Sequence, residues 1–140
     1  MLAEEASPYV MGFLFWGLPT ITIIFGLGFL DRYTWLRTSP VLSNTLQLSG
    51  VLMVVAGGLW AAFQRHLGRI MAYAAVVETG FAILALSIQP PTRALDVVFL
   101  SLIPRGLGLA VWALALTILI GQTGSLRFGS VKGLARFYPL

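Results

Sequence analysis

Four apolar stretches, each about long enough to cross a bilayer, constrain this chain more than any other feature. They cover residues 9–30, 41–63, 70–88 and 95–121. A membrane helix needs about 20 apolar residues to cross a hydrocarbon layer about 30 Å thick. Because 58% of the 140 residues are hydrophobic and 10% are charged, a soluble domain of this size could not bury the apolar surface. The sequence therefore predicts an all-α, multi-pass integral membrane protein, with one transmembrane domain over residues 1–140 that includes a short cytoplasmic-like tail at 122–140.

The ends and connections of these stretches support a helix bundle. Glu4 and Glu5 stand where a signal peptide carries basic residues, so we expect the first stretch to be a retained helix. The short, proline-containing connections predict that consecutive helices are antiparallel neighbours. Basic residues favour the side of both termini, which predicts cytoplasmic termini: Arg65, Arg69, Arg127, Lys132 and Arg136 lie there, against Arg32, Arg37 and Arg93 on the other side.

Composition also excludes several kinds of site. The chain has no cysteine and a single histidine, His66, so it cannot build a thiolate site, an iron–sulfur site or a histidine metal cluster by itself. No phosphate loop or nucleophile–base pattern is present, and we expect no cofactor. The basic residues are scattered over loops and the tail, which favours contacts with the lipid bilayer over binding of nucleic acid.

Two charged residues interrupt the apolar stretches, and they are the strongest candidates for function. Glu78 lies in the third stretch and Arg105 in the fourth. A charge at the centre of a membrane helix costs roughly 2.5–3.5 kcal/mol on insertion scales, so it persists mainly where it pairs or moves ions. The helix face of Glu78 consists mostly of small residues, which predicts that Glu78 points into the bundle: Ala74, Ala75, Phe81, Ala82 and Ala85.

The pattern leaves the role of these charges open. Glu78 could load and release a proton beside Arg105, which stays charged at physiological pH. Alternatively, the two residues form a static ion pair, or a protonated Glu78 donates a hydrogen bond. His66 and Arg69, at a helix boundary, either extend an ion path or anchor to lipid headgroups. We also expect a helix break at Pro104, helped by Gly106 and Gly108, and a second break at Pro19.

Residues 57–81 resemble the antiporter-like, proton-conducting membrane subunits of respiratory NADH:quinone oxidoreductase, and related subunits of membrane hydrogenases and multisubunit cation/proton antiporters. The matching residues are Gly58, Ala62, Gln64, Arg69, Ala72, Tyr73, Gly80 and Phe81. A second motif of that family, G-L-x-R-x-x-P, resembles residues 133–139. The resemblance implies a partial antiporter-like fold, other membrane subunits as partners, and translocation of protons or monovalent cations in an energy-transducing inner or cell membrane.

The chain also departs from that family. The lysine that precedes the family's arginine corresponds to Gly68, and the family's histidine corresponds to Glu78. The lysines of two further helices fall near Phe29 and Gly108. The family's subunits have many more helices, which a truncated frame, a split gene or a fragment would explain.

Three functional hypotheses follow. The chain contributes to or flanks the ion path of a multisubunit complex, without redox chemistry of its own. It is instead a structural or assembly subunit of such a complex, as the missing lysines suggest. Finally, it is a small four-helix transporter that acts as a dimer, with Glu78 exchanging protons for a cation.

Overall fold

A computed structural model describes residues 7–88 and 91–131 of the chain. Over these residues the protein is helical apart from short turns and one isolated β-bridge. Four long helices are apolar enough to cross a membrane. In chain order the helices are α1 (Pro8–Arg32), α2 (Thr34–Arg37), α3 (Pro40–Ala62), α4 (Leu67–Leu86), α5 (Pro91–Thr123, with its apolar span at Leu95–Thr123) and α6 (Phe128–Val131).

The four predicted spans are confirmed, and their ends differ by a few residues. Three long helices begin at a proline, namely Pro8, Pro40 and Pro91, because proline fits the first helical turn, where its missing N–H has no helical partner. Helix α4, which is the third predicted span, begins at Leu67, three residues before its predicted start. Arg69 therefore lies inside its first turn. Glu4, Glu5, Pro90 and the motif at 133–139 lie outside the described residues.

Both prolines expected to break a helix lie inside continuous helices. Helix α1 continues through Pro19 and helix α5 through Pro104. Proline removes one backbone donor, but an apolar surrounding offers a freed backbone group no better partner than the rest of the helix. The expected interruptions at Pro19, Pro104, Gly106 and Gly108 are therefore absent, and the charged site is built between intact helices.

Helix α4 is the centre of the packing. It packs most extensively against α3 on one side, and it also contacts α5 and α1, which pack against each other. The contacts show the helix directions: Gly50 meets Gly80 and Gly57 meets Tyr73, so α3 and α4 are antiparallel. Antiparallel packing also holds between α1 and α5, where Gly12 approaches Ala113 and Gly106 approaches Trp16.

The α1–α4–α5 group contains two separate clusters of buried apolar side chains. The first contains Met71, Ala75, Leu109, Ala113, Leu116 and Leu126. The second contains Ile23, Leu27, Ala82, Ala85 and Val98. Helices α4 and α5 contribute to both clusters, and α1 contributes to the second while its Phe15 and Trp16 pack against the first. Each of the three helices therefore has a segment between the two clusters. The polar site occupies these segments.

Candidate functional site

Arg105 is the most deeply buried charged side chain among the described residues, with 5% of its side chain exposed. Helix α5 places it between Val98 of one apolar cluster and Leu109 of the other. Its Nη2 donates a hydrogen bond to Thr79 Oγ1 at 2.8 Å. The Thr79 hydroxyl in turn donates to the Ala75 carbonyl oxygen at 2.7 Å. Thr79 thus couples the guanidinium to the backbone of α4.

Glu78 is the partner of Arg105 across the α4–α5 interface. Its Oε2 lies 3.4 Å from Arg105 Nε, close enough for an ion pair. Oε2 is buried and has no hydrogen-bond partner among the described residues, although 36% of the side chain as a whole is exposed. Glu78 therefore points one carboxylate oxygen toward the bundle and leaves the rest of the side chain at its outer surface.

The predicted inward face of α4 is confirmed in its main part. Ala75, Ala82 and Ala85 are buried and pack against α1 and α5. Phe81, which was expected on the same face, is 57% exposed. The helix turns about 100° per residue, so Phe81 lies about 60° from Glu78 on the side opposite to Ala75 and Ala82, beyond the edge of the buried face.

Helix α1 contributes two polar groups that the sequence analysis missed. The Nε1 of Trp16 and the Oγ1 of Thr20 are buried and have no hydrogen-bond partner among the described residues. Trp16 lies against Gly106, where an added Cβ would come within 3.0 Å of Trp16 Nε1. Trp16 and Thr20 are four positions apart on α1, so they share a helix face. This spacing was the only sign in the sequence that they belong to one site.

The polar layer consists of Trp16, Thr20, Glu78, Thr79 and Arg105. Arg105 Nε and Nη1 also lack hydrogen-bond partners among the described residues. Buried polar groups are normally satisfied by protein or by ordered water. A groove of about 560 Å³ between α1, α3 and α4 reaches Thr79 and is otherwise lined mainly by apolar side chains. The layer is thus rich in unused donors in the middle of an apolar bundle.

The site has no arrangement for a metal cofactor. Over residues 7–88 and 91–131, no three His, Asp or Glu side chains come together as ligands would. The polar layer instead holds one carboxylate and one guanidinium with hydroxyl and indole donors. That chemistry suits proton exchange or charge compensation.

Comparison with known families assigns the chain. Residues 2–140 match the family described as NADH:quinone oxidoreductase/Mrp antiporter, TM. The chain belongs to this antiporter family. Comparisons with curated proteins and with solved structures gave no match.

In this antiporter-family chain, the residues that carry the resemblance lie on two adjacent helices. Gly58 and Ala62 are on the last part of α3, Gln64 is in the following turn, and Arg69, Tyr73 and Gly80 are on α4. Gly80 is buried at the closest approach of α3 to α4. Glu78 lies on the same helix and makes the ion pair.

The antiporter-family chain does not bring His66 and Arg69 to the ion pair. His66 precedes α4, and Arg69 lies in its first turn. With a rise of 1.5 Å per residue, Glu78 is about 13 Å along the helix axis from Arg69 and about 18 Å from His66. His66 and Arg69 form a separate region at the end of the helix.

Proposed function

We propose that this antiporter-family membrane subunit takes part in ion translocation through the ion pair of Glu78 and Arg105. In this proposal Glu78 accepts and releases the proton. Arg105 stays charged and holds the counter-charge, since a guanidinium is not deprotonated in proteins. His66 and Arg69 are left out of the proton step because they lie about half of the hydrocarbon thickness of about 30 Å away from Glu78.

The observation that carries the proposal is the position and exposure of Glu78. It lies about 16 Å from the first residue of α4 and about 12 Å from the last, near the middle of the span. Its side chain is 36% exposed on the surface of these four helices. A charged group at this depth faces protein or water rather than lipid. Glu78 is thus suited to exchange a proton with a neighbouring subunit or a water-filled cavity.

The polar layer supports a change of protonation at Glu78. When the carboxylate takes up a proton, the attraction to Arg105 is lost, but Thr79 still accepts a hydrogen bond from the guanidinium. Arg105 Nε and Nη1 have no hydrogen-bond partner among the described residues, so they remain available to an internal water. Arg105 can therefore remain in place while the charge of its partner changes.

The test is Glu78→Gln in the native assembly, reconstituted into vesicles with a pH-sensitive dye. Glutamine keeps an amide oxygen facing Arg105 but cannot carry the proton. We expect proton flux to fall by roughly a hundredfold, as for the loss of a positioned proton-transfer group, while native separation shows an unchanged assembly. The matched control is Asp96→Asn, which removes an exposed carboxylate of α5 outside the polar layer and leaves flux unchanged. Normal flux in an assembled Glu78→Gln variant would contradict the proposal.

A structural role in the same kind of complex is the second candidate, and the brace from Arg105 through Thr79 to the Ala75 carbonyl favours it. In that case Glu78→Gln weakens assembly and leaves the flux per assembled complex unchanged. The same native separation distinguishes the third hypothesis, because a small transporter migrates as a dimer of this chain without other polypeptides.

A further inference from the structure

We propose that the chain binds the phosphate of an anionic phospholipid headgroup in a basic cavity where α3 and α5 end and α4 begins. We call this cavity the basic pocket. Its main residues are Arg65, His66, Arg69 and Arg127. It is separate from the polar layer, and the proposal does not depend on the role of Glu78.

Backbone hydrogen bonds hold two basic segments together at this end. The Leu67 N–H donates to the Leu126 carbonyl at 3.0 Å, and the Phe128 N–H donates to the Arg65 carbonyl at 3.1 Å. These bonds form an antiparallel bridge between His66 and Arg127. The bridge fixes Arg65 and Arg127, which are 62 positions apart in the sequence, on neighbouring backbone segments.

The turn after α5 and the apolar core keep the bridge in place. Gly124 has φ +68°, a conformation that favours glycine, and its N–H donates to the Ile120 carbonyl at 2.8 Å. This turn redirects the chain from α5 toward the start of α4. Leu126 is then 4% exposed and packs in the cluster that contains Met71. The turn at Gly124 and the buried side chain of Leu126 thus hold the backbone of the basic pocket in place.

The chemistry of the basic pocket suits a phosphate. Its volume is about 530 Å³, and three arginines, His66, Gln64 and Ser130 line it together with Phe128 and Gly129. No Asp or Glu is among these lining residues. His66 Nδ1 is buried and has no hydrogen-bond partner among the described residues. Guanidinium groups bind phosphate through paired N–H donors, so Arg65 and Arg127 offer charge and directional donors to one anion.

The location favours a lipid phosphate over a free one. The basic pocket lies beside the last residue of α3, the first of α4 and the last of α5, at one end of the apolar spans. Three large aromatic side chains near this end are well exposed: Trp60 at 54%, Phe63 at 73% and Phe128 at 45%. Tryptophan is enriched at the headgroup level of membrane proteins, and Trp60 is the tryptophan of this group. A phosphate at this depth belongs to a lipid whose acyl chains follow the apolar helices.

The test measures the binding of phosphatidylglycerol to the purified protein in detergent by native mass spectrometry. The variant carries Arg65→Gln and Arg127→Gln, and the matched control carries Arg32→Gln and Arg93→Gln, two exposed arginines at the other end. An arginine near an anionic surface contributes about 1 kcal/mol, so we expect the apparent Kd to rise about fivefold per substitution and about 25-fold for the pair. The control changes it less than about twofold, since it removes the same charge elsewhere.

Further arms of the experiment separate the sources of the effect. Arg65→Lys with Arg127→Lys keeps the charge but loses the paired donors, so its Kd should lie between those of the wild type and the glutamine variant. Helix content and monodispersity must match the wild type. Equal binding of phosphatidylcholine, an equal loss in the control pair, or unchanged phosphatidylglycerol binding in the glutamine pair would overturn the proposal. Displacement of the lipid by inorganic phosphate at equal concentration would also overturn it, because the site would then recognise free phosphate.

Discussion

The two faces of α4 make contacts of different kinds with the neighbouring helices. Toward α3, the contact is made by glycines: a Cβ on Gly50 would lie 2.9 Å from the Gly80 carbonyl oxygen, and a Cβ on Gly57 would lie 2.9 Å from Val77 Cγ2. Toward α5, the contact includes the ion pair of Glu78 with Arg105 and the hydrogen bond to Thr79. The first interface depends on shape, and the second depends on charge and polar groups.

This difference suggests how one helix supports an ion site. Close packing of backbones through small residues stabilises membrane helix pairs by dispersion and leaves little freedom to shift. The α4–α5 interface has spare donors at Arg105. In the proposed function, α3 holds α4 in position while Glu78 takes up and releases its proton. The following substitutions change the charged and polar side chains of the α4–α5 interface and the glycines of the α3–α4 interface.

The largest effect should come from removing one member of the ion pair. Glu78→Leu leaves Arg105 buried with no opposite charge, which we expect to cost about 3–5 kcal/mol of unfolding free energy. Arg105→Leu should cost less, because the remaining Glu78 is 36% exposed and a carboxylic acid can take up a proton. Unfolding in mixed detergent micelles, followed by circular dichroism, measures both values.

The double variant Glu78→Leu with Arg105→Leu is the control for this pair. It should be more stable than Glu78→Leu alone, since no buried charge remains. If Arg105→Leu were the more damaging single change, the guanidinium would be stabilising the fold by itself, and the structural role of the brace would gain support.

Much of this comparison could be predicted from the sequence. The four spans follow from hydropathy, because the length of an apolar run fixes how far a helix extends. The pairing of Glu78 with Arg105 was also foreseen as one alternative, since two opposite charges in neighbouring spans have few other partners. Hydropathy does not report which face of a helix contacts which neighbour. The structure was therefore needed to identify the buried polar groups of Trp16 and Thr20, and to show that α3 lies outside the group of three helices.

A smaller effect is expected from two threonines of the polar layer, and only the substitution of Thr79 should clearly destabilise the protein. Thr79→Val removes the acceptor of the Arg105 hydrogen bond and should cost about 1.5–3 kcal/mol, the range for a bond to a charged group. Thr20→Val removes a buried hydroxyl without a described partner, so stability should stay within about 1 kcal/mol or increase. The same micelle unfolding measures both. A loss of proton flux in a stable Thr20→Val variant would show that the hydroxyl serves the ion path.

The smallest effect should come from the glycine interface, and it is measured against a glycine of the same helix. Gly50→Ala places a methyl group 2.7 Å from Leu84 Cγ and 2.9 Å from the Gly80 carbonyl oxygen. Overpacking of this kind costs about 1–3 kcal/mol, offset by about 1 kcal/mol because alanine is the better helix former. An added Cβ at Gly58 meets nothing within 4 Å. Gly58→Ala should therefore stabilise the protein by about 1 kcal/mol, because alanine is the better helix former. If both substitutions stabilise the protein equally, α3 is not held by close backbone contact. If only Gly50→Ala destabilises the protein, and the loss of stability caused by Glu78→Leu is the same with and without Gly50→Ala, the two faces of α4 act independently.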